Sequence, residues 1–216
     1  MELDILFVTD FVCPYCIVAK AALEEALREL GVQAHILMQP LELTPEPKER
    51  VDTCHDEVRK ARYQILVEPA AQLGIDIKLP PNVCPRPRTR LAWEGWYFAD
   101  AHGCGEKYAD LTYRAYFEKE QDLEDMEVLC SIAKAAGLDT QDFAKTLEEG
   151  VYTQAFHEAD AYTKKVMGVK GIPAIYMNGE KIQVSSYTKE EMLEILQSGL
   201  SAMGDGGMVC GEDGCS

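Results

Sequence analysis

The sequence predicts an α/β domain with a large all-helical insertion between a β-α-β half and a β-β-α half. Three observations carry this. Strand-like apolar runs and alternation occur only near the two ends of the chain. Between about residues 51 and 168 the apolar residues recur almost entirely at steps of three and four, the helical period. Neither end holds enough strands for a stable sheet, so the two outer parts need each other.

The elements follow in order. Residues 3–8 form a short strand, apolar enough for burial on both faces. From Pro14 to Leu30 a helix is predicted, with Ile17, Ala21, Leu23, Ala26, Leu27 and Leu30 along one side and Gly31 stopping it. Residues 32–38 alternate as a second strand through Val32, Ala34, Ile36 and Met38. A strand–helix–strand unit of this length implies a parallel pair with a right-handed crossover. Pro40, Pro45 and Pro47 then mark a loop. Helical segments are predicted near 53–74, 87–103, 105–120, 124–136, 139–149 and 151–168, with a proline-rich break at 79–88. Gly137 ends one of these, and Asp139 caps the next. Ala174–Met177 and 181–184 are strands flanking the hairpin turn Asn178-Gly179-Glu180. Thr188 caps a final helix to about Leu200, with Glu191 completing a capping box. The boundaries expected are therefore 1–45 and 169–200 for the sheet domain and 46–168 for the insertion. Residues 201–216 are expected to form a glycine-rich, flexible tail.

Length and charge narrow the function classes. A chain of 216 residues with 47% hydrophobic and 27% charged residues is an ordinary globular composition. The net charge of −16 gives no general attraction for nucleic acid or anionic lipid, so neither is an expected partner. Arg86, Arg88 and Arg90 form a dense basic cluster. The start of the chain lacks the features of a secretory signal, and no apolar run approaches the ~20 residues that cross a bilayer. A cytoplasmic location is expected. No stripe on the insertion demands a dimer face.

The strongest chemical signal is Cys13-Pro14-Tyr15-Cys16, placed directly after a strand and at the start of a helix. The spacing brings two sulfurs onto one helical face. Cys13 takes the cap position and Pro14 the first helical position, where a missing N–H does no harm. The unpaired amides of the first turn favour a thiolate on Cys13, which is expected to ionise below the free-thiol value of ~8.5. Cys16 lies deeper and is expected to resolve the mixed disulfide that Cys13 forms with a substrate. The competing readings are a static disulfide or half of a zinc site. Zinc would need two further ligands, and no second Cys-x-x-Cys or His-x-x-x-His occurs, Cys54-His55 being isolated. The thiol chemistry needs no cofactor.

Phe11-Val12-Cys13-Pro14-Tyr15-Cys16 after a strand, the helical insertion, and Gly171-Ile172-Pro173 before a hairpin resemble the DsbA family of the thioredoxin superfamily. Within it the FrnE-like branch is the most similar. The resemblance covers about residues 3–200, with Pro85-Arg86-Pro87-Arg88, Ala115-Tyr116-Phe117 and Gly168-Val169-Lys170 adding to it. It implies a thioredoxin-like fold, thiol–disulfide oxidoreductase activity and a cis peptide bond before Pro173. It also implies that this loop faces the thiols, with the Ile172 backbone available to an extended substrate. The partners it implies are protein or small-molecule thiols and disulfides, glutathione being one candidate. Pro-Tyr is also the glutaredoxin dipeptide, which suggests a potential of roughly −200 to −230 mV. The same fold hosts kappa-type glutathione transferases and hydroxychromene-carboxylate isomerases. These use a serine-type site, against which the intact thiol pair argues. A non-catalytic metal or redox sensor is the third reading.

Cys210 and Cys215, with four residues between them in the tail, can close a small loop and act as a redox relay to Cys13 and Cys16. Some FrnE-like proteins carry a similar second pair. Passive thiols or metal capture are the other readings. Asp10 is expected to accept backbone amides in its loop. Cys54, Cys84, Cys104 and Cys130 are expected to be spectators, Cys130 as a small core residue. Trp93, Trp96, Tyr97 and Phe98 read as core of the insertion, and His102 and His157 as structural or solvated.

Overall fold

A computed structural model describes residues 2–204. Strand β1 (Glu2–Thr9) is followed by helix α1 (Pro14–Leu30) and strand β2 (Gln33–Pro40). Helices α2 (Glu57–Tyr63) and α3 (Val67–Gln72) come next, with one 3-10 turn between them. Then come α4 (Arg90–Ala101), α5 (Gly105–Phe117), α6 (Met126–Ala136), α7 (Thr140–Glu148) and α8 (Thr153–Lys165). The chain returns to the sheet as β3 (Ala174–Met177) and β4 (Glu180–Ile182), and helix α9 (Lys189–Gly204) follows. The sheet order is β2-β1-β3-β4, with β1 parallel to β2 and antiparallel to β3. This is the thioredoxin-like α/β architecture with its helical insertion. Helices α1 and α9 pack together, and α8 packs against β2.

Strand β1 sits at the centre because its sequence can. Leu3, Ile5, Phe7 and Val8 are buried, and its second half, from Phe7 to Thr9, is covered on both faces. Its first half departs from the expectation, since Asp4 is exposed and Leu6 only half-buried. Those two residues line an open groove of about 430 Å³ with His35, Leu37, Met167 and Tyr176. Strand β2 alternates as predicted, and Ala34, Ile36 and Met38 face the core.

The insertion is fastened to the sheet domain by rings and by one buried ion cluster. Phe11 lies 4.6 Å from the Trp93 ring centroid and 5.2 Å from that of Tyr113. Trp93, Trp96 and Phe98 are buried as expected, while Tyr97 is half-buried and stacks on Tyr152. The Lys20 ammonium is buried between Glu24 and Asp110. Gly95 on α4 has no room for a side chain, because the Tyr108 hydroxyl and the Phe143 ring occupy the space a Cβ would need.

Several expectations are corrected. The run 53–74 is broken: Asp56 caps α2, whose helix starts only at Glu57, and a 3-10 turn at Gln64–Leu66 precedes the Pro69 helix. Proline is tolerated in the first turn of a new helix but breaks a continuous one. Helix α9 continues through Gly204, past the expected end near Leu200. The Arg86–Arg90 cluster is not a basic patch. Arg86 is buried against the Thr44 hydroxyl, Arg88 reaches the Lys48 carbonyl, and Arg90 pairs with Glu94. Cys130 is half-buried rather than core. The tail pair Cys210 and Cys215 lies outside the described residues. Among the described residues no helix is long and apolar enough to cross a membrane.

Candidate active site

The register of β1 with β3 builds the site. Val8 pairs with Ala174, so the loop before Ala174 lies beside the turn that leaves β1. That turn closes when the Cys13 N–H donates to the Asp10 carbonyl at 3.0 Å. Cys13 then caps α1 in an extended conformation, and Pro14 enters the first turn. The Ile172–Pro173 peptide bond is cis. The Cys13 thiol points to the Ile172 carbonyl, 3.9 Å away. The sequence directs the first-turn amides at this sulfur, but the side chain makes no capping hydrogen bond. A protonated thiol is a weak acceptor, and here it serves as a donor.

Cys16 is one helical turn on and wholly buried, whereas Cys13 keeps 4% of its surface open. Both are free thiols. Burial pushes the Cys16 thiol well up, and its contact with Cys13 pushes the same way. The Thr9 hydroxyl and the Asp10 amide donate to the Cys16 sulfur and pull the other way. The Thr9 hydroxyl is also hydrogen-bonded to the buried Tyr113 hydroxyl.

Asp10 behaves as expected of a loop acceptor and adds a second role. One carboxylate oxygen accepts the Leu43 amide at 2.8 Å and the other the Thr89 hydroxyl at 2.5 Å. It therefore ties the thiol turn to the exit of β2 and to the cap of α4. Burial raises its pKa to about 6 against the hydrogen bonds from Thr89 and Leu43. Glu42, buried nearby and accepting the Thr89 amide at 3.0 Å, is raised by burial to about 7.

A wall of tyrosines stands over the thiols. The Tyr15 ring lies 5.9 Å from Tyr63 and 5.4 Å from Tyr187, and its hydroxyl donates to the Arg62 carbonyl at 3.3 Å. Tyr187 has φ 59°, a left-handed conformation costly for a bulky residue. The Glu191 carboxylate holds it there by accepting the amides of Ser185, Ser186 and Tyr187. Thr188 does cap α9 through the Glu191 amide, but the carboxylate expected to complete the box takes this loop instead. Tyr63, Tyr113 and Tyr187 were not among the residues singled out by sequence. Only the tyrosine content of the flanking segments hinted at them.

Two predicted spectators are joined. Cys54 and Cys84 form a disulfide with a Cα–Cα distance of 6.1 Å. They are 30 residues apart, in loops with no local pattern to mark them. The Asp52 carboxylate lies within 4.8 Å of both sulfurs. Joined to each other, these sulfurs offer no thiolate to a metal.

Comparisons agree with this architecture. The model of the DSBA-like thioredoxin domain matches residues 4–196. The uncharacterized protein YwbO of Bacillus subtilis is 33% identical over 174 residues, covering 80% of this chain and 86% of YwbO. A probable DsbA oxidoreductase of Streptomyces coelicolor superposes with a TM-score of 0.76 at 22% identity, covering 99% and 98% of the two chains. The cytosolic disulfide reductase DsbM of Pseudomonas aeruginosa gives 0.68 at 14% identity, covering 93% and 100%. DsbM is also known with GSH. The chain belongs to the DSBA-like thioredoxin domain family, and with it to the thiol–disulfide oxidoreductases.

Proposed function

We propose that Cys13 and Cys16 are the redox pair of this oxidoreductase, Cys13 attacking and Cys16 resolving. One observation carries the reading: a slightly open thiol at the head of a helix faces the carbonyl before a cis-proline, with a second, buried thiol one turn behind. The Cys13 thiolate attacks one sulfur of a substrate disulfide, and the other substrate sulfur leaves with the bond's electron pair. Cys16 then gives up its proton and attacks Cys13. The mixed disulfide breaks, the substrate leaves as a thiolate, and a Cys13–Cys16 disulfide remains. Burial of Cys16 keeps it protonated until the mixed disulfide forms, which favours this order. The recycling partner sets the direction of electron flow.

Pro14 keeps the cap free, Tyr15 forms the floor of the tyrosine wall, and Ile172 and Pro173 present backbone to an extended substrate. Substrates are protein or small-molecule thiols and disulfides. Glutathione is among them by analogy with DsbM, whose name also motivates a cytosolic location. The test is turnover of insulin and of a glutathione mixed disulfide by wild type and Cys13→Ser. The expected loss is on the order of a thousandfold or more. Equal rates would refute the assignment.

A further inference from the structure

We propose that Cys54–Cys84 is a second thiol–disulfide exchange site, whose opening releases the wall of the first. Accessibility comes first. Cys84 is exposed and Cys54 half-exposed, so an external thiolate can reach the bond. Both sulfurs already have polar partners suited to the open state. The Cys54 amide donates to the Cys84 sulfur at 3.1 Å, and the Thr53 hydroxyl lies 3.9 Å from it. The Pro81 carbonyl lies 3.6 Å from the Cys54 sulfur, in place to accept a thiol proton. An external thiolate of the glutathione type therefore attacks Cys54, and Cys84 leaves as a thiolate held by the Cys54 amide. A second thiolate attacks the external sulfur of the mixed disulfide and frees Cys54, which takes a proton. Two external thiols become one external disulfide, and their two electrons reduce Cys54–Cys84.

The location gives the exchange its consequence. The bond clasps two segments that both end in the candidate active site. One segment runs from Cys54 through the Asp56 cap into α2, which delivers the Arg62 carbonyl and the Tyr63 ring to Tyr15. The other runs from Cys84 to Thr89, whose hydroxyl binds Asp10 beneath the thiol turn. The second segment has other ties: the Arg86 amide bonds the Val51 carbonyl at 2.9 Å, and its guanidinium bonds Thr44 at 2.7 Å. Residues 52–56 and α2 lose their main covalent anchor when the disulfide opens. Release thus acts on the Tyr15 wall and leaves the Asp10 floor in place. The exchange itself is independent of the Cys13–Cys16 reading; only its effect on Cys13 rests on it.

The full chain is equilibrated in glutathione buffers from oxidising to reducing, quenched, alkylated and mapped by mass spectrometry. Circular dichroism follows the fold, and hydrogen exchange follows residues 57–66 and 90–101. Cys54 and Cys84 are expected to interconvert reversibly between dithiol and disulfide in the folded chain. In the reduced form, exchange at 57–66 is expected to rise about tenfold while 90–101 stays unchanged. The rate of Cys13 alkylation is expected to change at least about threefold. The same titration on Cys13→Ser/Cys16→Ser, with Cys54 and Cys84 followed by their mapped peptides, reads the second pair without the first, so it separates failure here from failure of the active-site assignment. A bond that opens only when the chain unfolds would overturn the proposal. So would a bond that opens in the folded chain with no change at 57–66. Cys54→Ser/Cys84→Ser, if folded, is expected to reproduce the reduced state.

Discussion

The two cysteine pairs among the described residues solve opposite physical problems. Cys13 and Cys16 sit three positions apart on one helix, buried in the core and present as thiols. Cys54 and Cys84 sit 30 positions apart on surface loops and are joined. In the first pair, the fold keeps two sulfurs close without a bond and surrounds one of them with donors. In the second pair, the bond is itself what holds the loops together, and one of its cysteines is exposed. Proximity set by a helix leaves a pair free to cycle, because neither redox state requires the backbone to move far. Proximity set by the bond makes the redox state a structural variable.

The largest effect that tests this contrast is at Cys16. In the proposed mechanism, Cys16→Ser leaves Cys13 able to attack but removes the resolving thiol. Covalent substrate adducts on Cys13 are expected to accumulate, with multiple turnover reduced by about a hundredfold or more. Intact-mass measurement after mixing with a disulfide substrate reads the adduct. A variant that turns over normally without adducts would erase the functional distinction between the pairs.

The second effect is on stability. Removing the Cys54–Cys84 bond by the double serine substitution frees a closed loop spanning a sequence separation of 30 residues. The expected loss is about 3–4 kcal/mol in denaturant unfolding. Removing both thiols of the proposed redox pair as Cys13→Ala/Cys16→Ala is expected to cost less, since no bond closes there in the reduced chain. The reverse ranking would show that the surface bond contributes little as a constraint.

The smallest effect concerns Asp10, the tie between the thiol turn and the insertion. In the folded chain it holds its proton to about pH 6, and in the unfolded chain only to about 3.8. Between these values the folded state binds more protons, so stability falls as pH rises through that window. Asp10→Asn removes this part of the slope, on the order of 2 kcal/mol between pH 4 and 7. Glu42, raised to about 7, keeps its own part of the slope in the variant. Unfolding midpoints across pH for both proteins check the sign. A wild-type stability that climbs over this range would contradict it.

What was legible in the sequence was what depends on near neighbours in the chain. The apolar run of β1, the Pro14 start of α1 and the hairpin at Asn178-Gly179 each announce themselves within a few residues. The placement of the Ile172 loop came from resemblance, and the β1–β3 register supplies its physical reason. The Cys54–Cys84 contact was invisible because no spacing rule links positions so far apart; it exists only once the 79–88 loop folds back onto 52–54. The tyrosine wall was hidden for the same reason. Tyr15, Tyr63 and Tyr187 come from three distant segments, and the carboxylate that sets Tyr187 looked like an ordinary helix cap.

The sheet order carries a consequence for how the protein is made. Strand β1 leaves the ribosome before both of its neighbours, β2 and β3, and β3 is synthesised only after the whole insertion. Until then one edge of this central, largely buried strand has no neighbour. A nascent chain halted before Ala174 would hold Cys13, Cys16 and the Ile172–Pro173 loop but lack the strand whose pairing with β1 sets that loop against them. Thiols made early therefore wait for a strand made late, and their site can close only after the whole insertion has been synthesised.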